Sequence, residues 1–138
     1  MTDPARVFVD ANVFLRFFTV DDEGQAARAE QIFRRAAAGD LALVTGPPVL
    51  FELVWTLRSA YKQSTIQVLT TLKAVLALPG LALSDRAIVE EAVRLASASG
   101  QEFADAYIAA SVSAAGVGAL ATFNRRHFDR LGTPLYHL

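Results

Sequence analysis

Asp10 closes the apolar run Val7-Phe8-Val9, and Asn12 follows two positions later. A short Val/Phe-rich run bounded by polar residues predicts a buried strand. Its last carboxylate would then leave the carboxyl end of that strand, where open α/β sheets hold their ligands. Three more acids occupy apolar settings: Glu52 within Val49-Leu50-Phe51-Glu52-Leu53-Val54-Trp55, and Glu102 with Asp105 in Gln101-Glu102-Phe103-Ala104-Asp105-Ala106-Tyr107-Ile108. Acids in such stretches are seldom buried unless they are paired or bind a metal. If Asp10, Glu52 and Asp105 converge, like charges about 5 Å apart repel by roughly 3 kcal/mol per pair at an effective dielectric near 20. A hard divalent cation relieves that repulsion, and carboxylates with water select magnesium, with manganese as a substitute. Such a cation binds phosphate oxygens and lowers the pKa of a bound water, the needs of phosphodiester hydrolysis.

The elements that must position these acids follow from the pattern of apolar residues. Strands are predicted at Val7–Val9, Leu41–Val44 and Leu81–Leu83, with further short ones at Ala119–Ala121 and Pro134–Tyr136. Helical spacing covers Asp21–Ala38, stopped by Gly39, then Pro47 to about Tyr61, and Thr65–Leu78 before Pro79 and Gly80. Ser84 and Asp85 offer caps for a helix running to Ser97, and Phe103–Ala115 is a last one, closed by Gly116. Alternating strands and helices imply a three-layer α/β/α sandwich around a central, mostly parallel sheet. Glu102 and Asp105, three apart, would share a face. Asp105 shares a stripe with Ile108, Ala109 and Val112, which would point it toward the sheet.

Composition narrows the classes. With 138 residues the chain is expected to form one domain, 1–138, with a single core. The apolar fraction of 53% and mean hydropathy of +0.32 are high for a small domain, so a partner is expected to cover part of the surface. Charged residues and prolines break every apolar run short of the roughly 18 to 20 residues of a membrane span. No signal-peptide pattern is present, and the absence of cysteine fits a cytoplasmic protein. The net charge of −1 excludes a globally basic nucleic-acid binder, so any such contact must come from a local patch.

Four stretches together resemble one family: Val7-Phe8-Val9-Asp10-Ala11-Asn12-Val13-Phe14-Leu15, Glu52-Leu53-Val54-Trp55-Thr56-Leu57, Phe103-Ala104-Asp105-Ala106-Tyr107-Ile108-Ala109 and Ala121-Thr122-Phe123-Asn124-Arg125-Arg126-His127-Phe128. In this order they are similar to the PIN-domain ribonucleases, in particular to VapC-type toxins of type II toxin–antitoxin systems. The resemblance implies that Asp10, Glu52 and Asp105 are the catalytic, magnesium-holding acids, that Glu102 can join them, and that Asn12 hydrogen-bonds within the site. It also implies an RNA substrate, a cognate antitoxin protein and a homodimer whose groove takes an amphipathic antitoxin segment. Two positions depart from the family pattern. Glu102 stands where Asp is frequent, and Asn124 replaces a fourth Asp, which removes one anionic ligand. Thr122 and Asn124 would supply supporting polar contacts, and Arg125, Arg126 and Arg130 would engage the RNA backbone.

Plainer readings exist for each residue. A strand-end Asp can be a turn former or a cap, Glu52 a helix-surface acid, and Glu102 a first-turn acid favoured by the macrodipole. The arginines can be a solvated face. His127 and His137 have no metal-ligand spacing and receive no catalytic duty. Phe14, Phe17, Phe18 and Trp55 read as core or interface. At the level of function, a non-catalytic α/β interaction module and an Asp-based phosphotransfer domain are the alternatives. The second lacks a lysine at a late strand end, since Lys62 and Lys73 lie in helical stretches.

Overall fold

The structure, a computed structural model, describes residues 3–138; the expected domain begins two residues before that span. Three parallel strands, β1 (Ala5–Phe8), β2 (Leu41–Thr45) and β3 (Leu81–Leu83), form an open sheet in the order β1-β2-β3. Helices α1 (Ala11–Thr19) and α2 (Glu23–Ala37) connect the first pair, and α3 (Pro47–Ser59) and α4 (Thr65–Leu76) the second. After β3 come α5 (Arg86–Ser99), α6 (Phe103–Ala115) and the short α7 (Arg125–Arg130). This is the PIN-like α/β arrangement expected.

Local chemistry explains most boundaries. Ser64 and Gln67 form a reciprocal capping box on α4, and Pro47 and Pro48 open α3 at the positions where proline is tolerated. Gly100 and Gly116 close α5 and α6 in the left-handed conformation. Gly80 is required twice over. Its φ is +78°, and a Cβ there would lie 2.5 Å from the carbonyl oxygen of Ala36, so the turn into β3 and the contact with α2 admit no side chain.

Residues Ala5↔Leu41 through Phe8↔Val44 are in register, as are Leu43↔Leu81 and Thr45↔Leu83. On one face Leu41, Leu43, Thr45, Leu81 and Leu83 are buried. On the other, Ala42 and Val44 are half-buried and Ala82 is exposed, as is Phe8. The core is completed by Phe14, Phe33, Leu50, Leu53, Leu57, Leu72, Val89 and Phe103.

Three expectations need correction. Residues 11–19 form a helix not anticipated from the sequence, although Val13-Phe14 and Phe17-Phe18 stand at helical spacing; Asp10 caps it and Val20, at φ 52°, ends it. Residues 125–130 also form a helix. The segments 119–121 and 134–136 do not join the sheet but pair with each other, in a single parallel bridge at Leu120↔Leu135. Leu120 N donates to Pro134 O, and Tyr136 N to Leu120 O, both at 2.8 Å. This bridge takes up the backbone N–H and carbonyl of Leu120, so among the described residues no strand is added beside β1, and all four of its residues are exposed.

Candidate active site

Val9 decides where Asp10 emerges. Its side chain is 1% exposed, its N–H donates to Val44 O at 2.8 Å, and its carbonyl accepts from the Thr45 hydroxyl at 2.9 Å. Pairing with β2 thus continues one residue past β1 and releases Asp10, exposed, at the carboxyl ends of the strands. Asp10 is the N-cap of α1, where Oδ1 accepts from the N–H of Ala11 at 2.8 Å. The cap reading and the site reading coexist, because Oδ2 has no hydrogen-bond partner among the described residues. Asn12 is exposed and lines a cavity of about 410 Å³ between α1 and α2, which Arg16 and Arg28 also border. Its side chain has no hydrogen-bond partner among the described residues, so the expected contact within the site is not formed.

Glu52 lies on the second turn of α3. Val49, Leu50, Leu53, Val54 and Leu57 take the buried stripe, which leaves Glu52 on the outer face with the 70%-exposed Trp55. Its apolar neighbours in sequence are neighbours round a helix and do not surround it. Beside it, Phe51 packs against Phe103 and Tyr107 with ring centroids 5.4 and 5.0 Å away. At the other end of α3, Arg58 binds Glu102 at 2.8 Å. Side chains from both ends of α3 thus reach the start of α6. Burial pushes the Tyr107 phenol above its ordinary pKa, and the Asp85 carboxylate at the end of β3 acts in the same direction.

Glu102 has a structural occupation. It is the N-cap residue of α6, and its Oε1 accepts from Arg58 and, at 3.4 Å, from the Thr65 hydroxyl. Arg58 in turn donates to Gln63 O at 2.7 Å. One guanidinium thus ties α3, the loop before α4 and the start of α6 together.

Asp105 sits on the first turn of α6, at the margin of the buried stripe of Phe103, Ala106, Ala109 and Ala110. Its stripe does not lead to the sheet as expected: Ile108 is exposed, and the carboxylate turns to α7. There Oδ2 meets His127 Nδ1 at 3.0 Å, with the Asp105 side chain 21% exposed. Asn124 Nδ2 lies 3.0 Å from the same ring nitrogen, and Asn124 N donates to Thr122 Oγ1 at 3.0 Å. Two of the three polar residues assigned a supporting role, Thr122 and Asn124, thus reach Asp105 through a histidine that sequence reasoning set aside. The only sequence signal was local: Asn124 and His127 stand three apart at the start of a helix, a spacing that brings side chains together.

The arginines divide. Arg125 donates to Tyr136 O at 3.3 Å and so helps hold the end of the chain. Arg126 and Arg130 are exposed, four residues apart on α7, and have no carboxylate partner among the described residues.

The three acids expected to converge do not form a ready cage. Among the described residues no three His, Asp or Glu side chains stand together in a group that could hold a metal ion. Glu52 stands on an outer helix face, and Asp105 turns to His127 on α7. No helix of the described residues is long and apolar enough to cross a membrane. No curated protein matches the chain. Residues 7–134, from β1 to the segment that closes the Leu120–Leu135 bridge, match the PIN domain family, a nuclease fold, and the chain belongs to that family.

Proposed function

We propose that the protein is a magnesium-dependent endoribonuclease that hydrolyses RNA phosphodiester bonds and acts as the toxin of a toxin–antitoxin pair in the cytoplasm. The observation that carries this reading is the match of nearly the whole chain to the PIN domain family, with Asp10 at the carboxyl end of the first strand. The donor chemistry suits a hard cation. Asp10 Oδ2, Asp105 Oδ1 and both oxygens of Glu52 have no hydrogen-bond partner among the described residues. Magnesium is commonly held by one or two carboxylates, with water and substrate phosphate filling the other positions, so a preformed cage of three acids is not required. Asp10, Asp105 and Glu52 are the residues that would hold it. When bound, it would polarise the phosphate and lower the pKa of a water.

The chain's own residues supply the rest. Arg126 and Arg130 offer cations for backbone phosphates, which position a strand without reading its sequence. Apolar side chains left in solvent, Trp55 at 70%, Ile66 at 77% and Phe123 at 91% exposed, support a homodimer and an amphipathic antitoxin segment as partners. That no three such side chains stand together among the described residues favours a second reading, a non-catalytic interaction module.

One experiment separates the two. Purified protein is incubated with RNA in magnesium or in excess chelator, beside Asp10→Asn. Cleavage by the wild type alone, and only with the metal, is the expected result. Intact RNA under all conditions, with magnesium leaving the melting temperature unmoved, would establish the interaction module.

A further inference from the structure

We infer that His127 is a positioning residue of the site: it donates from Nδ1 to Asp105 Oδ2, is steadied by Asn124, and so leaves Oδ1 as the oxygen that Asp105 presents. The geometry stands by itself, while its consequence for cleavage rests on the nuclease reading.

His127 Nδ1 lies 3.0 Å from Asp105 Oδ2 and 3.0 Å from Asn124 Nδ2. One ring nitrogen cannot donate and accept at once. An unprotonated Nδ1 would accept from the Asn124 amide while pressing its lone pair against a carboxylate. A protonated Nδ1 donates to Asp105, and turning the Asn124 amide over brings its Oδ1 to the same N–H. Which way an amide points is assigned from the hydrogen-bond network, and here only the second arrangement satisfies all three groups. Bonds from N–H to a carboxylate are also the stronger kind.

The His127 side chain is 44% exposed, while the backbone that carries it is held on both sides. The next residue, Phe128, is 3% exposed, and its carbonyl accepts from Thr133 N at 3.0 Å. On the other side, Thr122 fixes the backbone of Asn124. Thr122, Asn124 and His127 therefore form a chain of contacts from a loop to a partly buried carboxylate. A carboxylate whose one oxygen is held keeps a defined direction for the other. Hydrogen-bonded partners of this kind, one step removed from the ligand, typically change metal affinity or activity by about 10- to 100-fold when removed.

Two measurements test this. Long-range ¹H–¹⁵N spectra of the full chain without metal, with the ring neutral, should show His127 protonated at Nδ1, and Asp105→Ala should return it to the Nε2–H form. Titration with manganese alone should then show His127→Phe weakened by about 10- to 100-fold. His127→Asn, whose amide nitrogen falls where Nδ1 stood, should recover most of that affinity. An Nε2–H ring in the wild type overturns the inference. So does a His127→Phe protein that binds manganese as tightly as wild type and loses only thermal stability, the behaviour of a simple link between α6 and α7. If the wild type neither binds manganese nor cleaves RNA, the nuclease reading fails, and the ring's protonation still decides the Asp105–His127 bond.

Discussion

The Asp105 carboxylate and the His127 imidazole, 22 residues apart along the chain, meet at 3.0 Å where α7 packs against α6. This contact gives an acid on the margin of a buried helix face a polar partner, which such an acid needs. It also brings the Thr122-to-Arg130 segment to one of the three acids proposed for catalysis.

Asp10→Asn separates chemistry from folding at the first acid. Asparagine caps a helix as well as aspartate does, so the melting free energy should stay within about 0.5 kcal/mol of wild type. Cleavage should nevertheless be lost, because an amide is a neutral and weaker ligand for a hard cation. Asp10→Ala should lose cleavage and about 1 kcal/mol of stability as well, since it also removes the cap. Chemical denaturation beside an RNA cleavage assay reads both. Cleavage by Asp10→Asn at the wild-type rate would remove Asp10 from the site.

Glu102→Gln should behave in the opposite way. Its partner Arg58 and its own side chain are 40% and 44% exposed, so the pair is worth roughly 0.2–1 kcal/mol. A small fall in stability with cleavage close to wild type is expected. Loss of cleavage at unchanged stability would return Glu102 to the metal-binding group.

Asn124→Asp places a second carboxylate beside His127 and restores the acid usual at this position in the family that the sequence resembles. The added anionic oxygen should lower the magnesium concentration needed for half-maximal cleavage. It should also lower the melting temperature of the metal-free protein, through repulsion from Asp105. Titrations on one RNA at fixed ionic strength, with melting curves in chelator, test both.

Tyr107→Phe should flatten the alkaline limb of the stability curve. Burial and the Asp85 carboxylate raise the folded-state pKa of this phenol above its unfolded value. Its contribution is therefore fully present below the unfolded pKa of about 10 and is lost as pH rises through the higher folded value. Phenylalanine keeps the packing on Phe51 and Phe103 and cannot ionise. Denaturation of both proteins from neutral pH into this range should show the difference growing in favour of Tyr107→Phe.

Much of the molecule was legible without coordinates, because the signals concerned are local. The strand ending before Asp10, the proline start of α3 and the glycine closing α6 each follow from steric and hydrogen-bonding rules acting over a few residues. The four motif segments and the carboxyl-end address of Asp10 are of this kind. Tertiary structure alone decided which face each acid occupies. Glu52 sits among apolar residues in sequence yet faces outward, because five of its neighbours take the single stripe that α3 can bury. Glu102 is engaged by an arginine 44 residues away, and Asp105 by a histidine on another helix. The sheet edge was equally non-local: whether Leu120 pairs with β1 or with Leu135 depends on competition between distant segments of similar propensity, and context outweighs propensity in strands.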